Sequence, residues 1–221
     1  MRSGASASTQ MYRDKSGINA FVWRQIEIAA GLAILILVLA AVAALATWNV
    51  ADPSFSHATA NEATNALGYP GAVFADLSMQ FYGLAALPAL VPALFWSLFL
   101  MSGRGLYRRP KRAVAWFFGA LLTAAAFGCL NPPQTWPLPV GVGGVLGDLV
   151  LRIPGVVIGG FPKGIISLIL AVPFLVPGLW LLTYGAGLIN RAAPVPVKEI
   201  RSASGELLDD DAAETGGLQA F

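Results

Sequence analysis

The most constraining feature of the sequence is its apolar segments, which are long enough to cross a lipid bilayer. Residues 28–47 contain no charged side chain, and a helix of about 20 apolar residues spans the hydrocarbon core of a bilayer. Residues 77–101, 113–130 and 164–189 are similarly apolar. Charged residues make up only 12% of the chain, whereas soluble domains average about 25%. We therefore predict an all-α integral membrane protein with four transmembrane helices.

The first apolar segment also contains Ala44-Leu45-Ala46, a small-residue pattern similar to a signal-peptide cleavage site. The apolar core of a signal peptide has only about 7–15 residues, and this segment is longer and follows a long polar head. We therefore interpret residues 28–47 as an uncleaved first span, and cleavage after it is the alternative.

The distribution of basic residues predicts the orientation of the spans. Twelve of the 14 Lys and Arg residues fall in the head (residues 1–27), the loop after the second span and the tail (residues 191–221). Basic loops remain in the cytoplasm. We predict a cytoplasmic head, a four-span membrane domain at residues 28–190 and an acidic disordered linker at residues 191–221. Both termini are then cytoplasmic.

The loop between the second and third spans is short and strongly basic. Its basic residues are Arg104, Arg108, Arg109, Lys111 and Arg112. We interpret this loop as a topogenic patch that lies against anionic lipid head groups, because several basic residues beside a span are ordinary in membrane proteins. Contact with DNA phosphates is the alternative.

The polar segment 51–76 contains no Lys or Arg, so we place it on the outer side of the membrane. Thr59 begins a segment with the spacing of a capping box, which predicts a short helix over residues 60–67 that ends at Gly68. Asp76 precedes the predicted second span, and a carboxylate at that position would cap the helix.

Two patterns within the spans predict helix geometry. Pro88 and Pro92 lie one turn apart in the second span, which predicts a kink. Ala120, Ala124 and Gly128 fall four residues apart in the third span, and such a stripe of small residues suits close contact with another helix. The partner helix is either in the same bundle or in a second subunit.

Residues 140–160 are apolar enough to suggest a fifth span. However, Asp148 and Arg152 would each cost about 2.5–3.5 kcal/mol at the centre of a bilayer. Their i, i+4 spacing allows them to form an ion pair on one helix face. We therefore predict a short amphipathic or re-entrant helix on the outer face, at about residues 144–153.

The sequence offers little for catalysis. Cys129 is the only cysteine and His57 the only histidine, which excludes an intrachain disulfide and multi-histidine metal sites. No phosphate-binding motif of the G-x-x-x-x-G-K-[ST] type occurs in it. We expect no catalytic, cofactor-binding or metal site. A small transporter or channel subunit is the alternative function, and its polar residue deep in the bundle would have to be Gln80 or Thr123.

The outer segment contains a pattern that resembles a known family. The pattern combines the turn Asp52-Pro53-Ser54 with Asn65-x-x-Gly68-x-x-Gly71-Ala72-x-x-Ala75-Asp76. With the proline-bearing second span and residues 143–147, it is similar to the N-terminal four-span membrane domain of the FtsK/SpoIIIE cell-division DNA translocases, over about residues 24–190. The candidate outer-face partner contacts are Asp52, Pro53, Ser54, Gly68, Gly71 and Asp76.

The resemblance implies a membrane anchor and scaffold at the division septum, in the bacterial inner membrane, that acts in chromosome segregation. It also implies a homo-oligomer that contacts the lipid bilayer and other division-site membrane proteins. ATP and Mg²⁺ are expected only for an ATPase motor that is missing from this chain, and DNA only through that motor. The chain would then be a non-enzymatic fragment of a longer protein or a stand-alone four-span paralogue.

Overall fold

The computed structural model describes residues 4–103 and 109–189 of the chain. All regular secondary structure in these two ranges is helical, so the predicted all-α class is confirmed there. Arg104 and Arg108 of the predicted basic loop, and the predicted linker at residues 191–221, lie outside the described residues.

Seven helices are present in the described ranges. They are α1 (Gly4–Ala46), α2 (Gly68–Tyr82), α3 (Ala86–Ala89), α4 (Val91–Ser102), α5 (Arg109–Gly128), α6 (Gly144–Ile158) and α7 (Gly164–Ala186). A 3₁₀ turn at Gly83–Ala85 joins α2 to α3. Ile18–Ala46 within α1, and the whole of α7, are long and apolar enough to cross a membrane. The first predicted span therefore lies inside a helix that begins well before Ile28.

The predicted second span is a bent pair of helical segments. Gly68–Ala89 and Val91–Ser102 meet at an angle of 42°, and together they are apolar enough to form one broken span. Proline lacks a backbone N–H and its ring clashes with the carbonyl four residues earlier. Pro92 therefore cannot donate a hydrogen bond to the carbonyl of Pro88, and the helix is interrupted between these two residues. The kink predicted from the two prolines is confirmed.

The predicted third span, residues 113–130, corresponds to α5, which packs most extensively against α7. Glycines bring the two backbones close together. A Cβ atom on Gly119 would lie 2.8 Å from the backbone nitrogen of Leu182, and one on Gly185 would lie 3.1 Å from that of Trp116. Small residues allow membrane helices to approach in this way because lipid supplies no hydrophobic drive for their association.

The predicted stripe of small residues packs within the chain. Ala120, Ala124 and Gly128 are all buried. A Cβ atom on Gly147 of α6 would lie 2.5 Å from the carbonyl oxygen of Ala124, and one on Gly128 would lie 3.0 Å from Cδ1 of Leu151. Two residues of the stripe, Ala124 and Gly128, thus contact α6. The chain's own helices therefore cover these residues, as the within-bundle alternative predicts.

The helix predicted at residues 144–153 is α6, which runs on to Ile158. The predicted ion pair between Asp148 and Arg152 is not formed. Oδ2 of Asp148 accepts the backbone N–H of Gly141 at 3.1 Å, whereas Arg152 is exposed. The carboxylate turns towards the loop before α6 because the N–H of Gly141 lies within reach there.

An arginine of α1 closes the C-terminal end of α4. The guanidinium of Arg24 donates to the carbonyl oxygens of Leu100, at 2.9 Å, and of Met101, at 2.5 Å. The last carbonyls of a helix lack donors from their own helix, and a cation there is favoured by the helix dipole. This contact joins α1 to the second span.

Arg112 has a similar role at the end of α7. Its side chain is only 5% exposed, donates to the carbonyl oxygen of Tyr184 at 3.4 Å and lies 5.9 Å from the centre of the Tyr184 ring. Arg109 and Lys111 are exposed. The prediction that Arg112 belongs to a lipid-facing patch is therefore wrong, because its charge is directed into the bundle.

Candidate functional site

The candidate site is the loop of residues 47–67, which connects α1 to α2 without any helix. The predicted helix over residues 60–67 is therefore wrong. Oγ1 of Thr59 accepts the N–H of the nearby Asn61 at 3.3 Å, because such side chains bond local backbone groups in turns as readily as at helix starts. Gly68 begins α2, with a φ of 64°, instead of ending a helix.

The carboxylate of Asp52 closes this loop. Its Oδ1 accepts the N–H of Thr64 at 2.9 Å and the hydroxyl of Thr64 at 2.7 Å, and its Oδ2 accepts the N–H of Asn65 at 3.0 Å. The residue is only 4% exposed. Burial acts to raise the pKa of the Asp52 carboxyl, but the hydrogen bonds from Thr64 and Asn65 outweigh burial, so this pKa lies below its ordinary value.

The amide of Asn65 ties the loop to α1. Its Nδ2 donates to the carbonyl oxygens of Ala44, at 2.8 Å, and of Thr47, at 3.3 Å. These are among the carbonyls at the end of α1 that lack helical donors. Its Oδ1 accepts the N–H of Leu67 at 3.1 Å. Asn65 is 5% exposed, so one buried side chain joins the end of α1 to the start of α2.

Gly71 is buried in α2 beside this amide. A Cβ atom there would overlap Oδ1 of Asn65 and would lie 2.6 Å from Cβ of Leu67. Gly71 is not among the glycines with positive φ. The glycine is therefore required by space, and not by a backbone angle that other residues avoid.

A second polar cluster lies beside the loop, on α2. Oδ2 of Asp76 accepts hydrogen bonds from the hydroxyl of Ser56 and from Nε2 of Gln80, the latter at 2.9 Å. Nε2 of Gln80 also donates to Oγ of Ser56 at 2.7 Å. Because α2 begins at Gly68, Asp76 lies inside the helix, and the prediction that it caps the second span is wrong.

The predicted partner contacts divide into buried and accessible residues. Asp52, Gly71 and Asp76 are buried, so a partner cannot touch the first two without displacing the loop. Pro53, Ser54 and Gly68 are partly exposed. The most exposed apolar side chain of the loop is Phe55, at 76%, which the sequence analysis did not select.

The sequence analysis also missed the residues that hold the loop in place. Asn65 is the exception, because it was named as part of the family motif. The missed residues are Thr47, Ser56, Thr64 and Gln80, of which only Gln80 was considered, and then as a bundle residue. The sequence contained one signal for the role of Asn65, which is its position three residues before Gly68 in the motif. An asparagine there can donate and accept at once.

Comparison with known proteins agrees with this architecture. A family model described as the 4TM region of DNA translocase FtsK/SpoIIIE matches residues 23–183. A protein named DNA translocase FtsK from Mesorhizobium japonicum is 55% identical over 95% of this chain, and one from Brucella suis is 49% identical over 98%. The chain spans about a quarter of each relative, 24% and 26% respectively.

The family model covers the membrane region of the chain, whereas the matches to the two relatives extend over nearly all of it. The relative from Bradyrhizobium diazoefficiens is 34% identical over 88% of this chain and is matched over 24% of its own length. No solved structure matches the chain significantly. The apolar helices, the bent second span and the family match lead to one conclusion: the chain belongs to the family of the 4TM region of DNA translocase FtsK/SpoIIIE.

Proposed function

We propose that the chain is the membrane anchor and septal scaffold of a cell-division DNA translocase. The observation that carries this proposal is the construction of the outer loop. Asp52 and Asn65 hold the loop against α1 through buried hydrogen bonds, so its exposed residues keep a defined shape. A loop without such internal bonds would pay a larger entropy cost to present a binding surface.

In this proposal the four spans are α1, the bent segment from α2 to α4, α5 and α7, with α6 lying at the outer face. Both termini are cytoplasmic in the bacterial inner membrane. The asymmetry of basic residues supports this orientation. The domain assembles as a homo-oligomer and contacts other membrane proteins of the division site, and Phe55 is part of the surface that they meet.

The motor function belongs to other parts of the longer relatives. This chain corresponds to about a quarter of their length. We therefore assign ATP, Mg²⁺ and DNA to a motor outside residues 1–221, and we assign anchoring and recruitment to this part.

In the described part of the chain, the two polar candidates for a transporter do not favour that alternative. Thr123 is buried, but its hydroxyl donates to the carbonyl oxygen of Gly119 in its own helix, at 2.7 Å. Gln80 belongs to the polar cluster beside the outer loop. Neither residue supplies the polar path through the bundle that a transporter needs.

The experiment is localisation of the chain with a fluorescent tag after Phe221 in dividing cells. The wild-type chain should concentrate at the division site and show no DNA-stimulated ATP hydrolysis. Gly71→Leu should disperse it while membrane insertion persists, because leucine displaces Asn65. Gly160→Leu is the matched control, since no atom lies within 4 Å of a Cβ placed there. Even distribution of the wild-type chain would contradict the proposal.

A further inference from the structure

Helix α6 is apolar on two opposite faces. The buried residues of the face towards α5 are Gly144, Gly147, Leu151 and Gly155. The exposed aliphatic residues of the other face are Val145, Leu149, Ile153, Val156 and Val157. Val156 and Val157 are 84% and 87% exposed, so the described part of the chain leaves this face uncovered. A helix that is apolar all round lies in a protein core or in a membrane.

The uncovered face continues into the lipid-facing surface of α7. Only residues 159–163 separate the end of α6 from the start of α7, and Phe161 within this connection is exposed. Ile165 and Ile169, in the first half of α7, are exposed as well. Because α7 is long and apolar enough to cross a membrane, acyl chains cover such residues. The same lipid is therefore the nearest apolar material for the uncovered face of α6.

The length and depth of α6 fit a helix that lies along one surface of the bilayer. It has 15 residues, which give a length of about 22 Å, less than the hydrocarbon thickness of about 30 Å. A Cβ atom on Gly147 would lie 2.5 Å from the carbonyl oxygen of Ala124, which is one turn before the end of α5 at Gly128. One helical turn is about 5.4 Å, and interfacial helices bury their apolar face by about 5–10 Å.

Two unpaired cations stand at the ends of the exposed apolar segment. Arg152 precedes residues 153–162, which contain no charged side chain, and Lys163 follows them. These two are the only basic residues in the range 113–190. Both are exposed, and neither side chain forms an ion pair or a hydrogen bond with another residue in the ranges that the structure describes. Long basic side chains can place their charge at the head-group level while their stems contact apolar surface.

The one acid of this region does not neutralise the two cations. Asp148 is the only acidic residue in the range 77–190. It lines one cavity with Arg152 and another with Lys163, but its Oδ2 accepts the N–H of Gly141 and its Oδ1 is buried without a partner. One carboxylate and two cations leave a net charge of +1. The complement of this surface is therefore an anion attached to an apolar chain.

We infer that residues 152–163 form a lipid-binding surface in the outer leaflet. The aliphatic side chains of α6 contact acyl chains, and Arg152 and Lys163 hold the phosphate group of an anionic phospholipid. A second copy of the chain is a poorer occupant, because a symmetric contact would bring two further unpaired cations to the same surface. The site goes beyond the anchoring role proposed above and does not depend on where in the cell the chain is found.

The first test measures the position of α6 with the full chain in phosphatidylcholine nanodiscs. An environment-sensitive fluorophore is attached at Val157→Cys in a Cys129→Ser background, and at Val156→Cys if that variant does not fold. A spin label on the lipid acyl chain should quench it strongly, and aqueous iodide only weakly. Thr135→Cys, at an exposed residue before α6, is the control and should show the reverse. Strong quenching by iodide at Val157, or protection from both quenchers, would overturn the inference.

The second test compares lipid head groups at the same fluorophore. Spin-labelled phosphatidylglycerol should reach half-maximal quenching at a mole fraction about fivefold lower than spin-labelled phosphatidylcholine, because a basic residue near the surface attracts an anionic lipid to this extent. Equal quenching by the two lipids would refute the phosphate site.

Matched variants assign the preference to the two cations. Lys163→Gln should weaken the preference for phosphatidylglycerol, and the double variant with Arg152→Gln should abolish it. Lys111→Gln is the control, because it removes the same charge from an exposed lysine at the opposite end of α5, and it should leave the preference unchanged. A preference that survives the double variant would show that Arg152 and Lys163 do not hold the lipid.

Discussion

A Cβ atom on Gly71 would overlap Oδ1 of Asn65, the residue whose amide joins the outer loop to the end of α1. The two positions are therefore coupled. Asn65 reaches the carbonyls of α1 only because α2 has no side chain at residue 71. This contact explains why Asn65 and Gly71, two positions of the motif that runs from Asn65 to Asp76, depend on each other.

We expect Gly71→Ala to destabilise the chain by about 1–3 kcal/mol, the usual cost of adding volume to a packed site. The methyl group must displace Asn65, so a single cysteine at Ser54 should also react faster with a maleimide. Gly160→Ala is the control, because its surroundings are open. Equal unfolding midpoints for the two variants would show that Asn65 accommodates the added methyl group without a loss of stability.

We expect Asp52→Asn to lower the free energy of unfolding by about 1–3 kcal/mol at neutral pH, because the N–H of Asn65 loses its acceptor. The pKa of Asp52 is lowered in the folded state. The ionised carboxylate therefore contributes fully to the free energy of unfolding above the ordinary aspartate pKa of about 3.9. This contribution is lost as the pH falls through the lowered pKa of the folded state.

The measurement for Asp52 is thermal unfolding in a non-ionic detergent from pH 7 to pH 2.5. The gap in unfolding midpoint between wild type and Asp52→Asn should stay constant down to about pH 5 and should close at lower pH. Glu62→Gln, at an exposed acid of the same loop, should show no such gap at neutral pH. A gap that widens on acidification would contradict the sign derived from the hydrogen bonds.

We expect Arg24→Met to destabilise the chain by about 1–2 kcal/mol, because the carbonyls of Leu100 and Met101 lose a charged donor at a helix end. Arg24→Lys should recover only part of this, since an ammonium group lacks the fork that reaches both oxygens. Arg152→Met, at an exposed arginine, is the control. Thermal unfolding is the measurement, and full recovery by lysine would argue against the two-carbonyl geometry.

The orientation of the spans is tested by labelling single cysteines in a Cys129→Ser background. Cysteines at Ser54 and Asn131 should react with an impermeant maleimide added to intact cells, and cysteines at Gly105 and Ser204 should not. The expectation follows from the position of the basic residues. Reaction of the cysteine at Ser204 from outside would replace four spans by five.

Several properties were accessible from the sequence because they depend on local composition. The length of an apolar run decides whether it can span a bilayer, and the predicted spans at 28–47 and 164–189 overlap two helices that meet this condition, Ile18–Ala46 and Gly164–Ala186. The kink at Pro88 and Pro92 was equally predictable, since proline disrupts its own helix whatever surrounds it. The motif from Asn65 to Asp76 indicated the family.

The partners of individual polar side chains were decided only by the tertiary structure. Local spacing favoured a cap at Thr59, a cap at Asp76 and an ion pair from Asp148 to Arg152. In the folded chain Asp148 bonds to Gly141 instead, while Asp52 bonds to Thr64, twelve residues away, and Asn65 bonds to Ala44, twenty-one residues away. Hydrogen bonds act only over about 3 Å, so these choices depend on which backbone groups the packed helices bring together, and spacing along the chain does not contain that information.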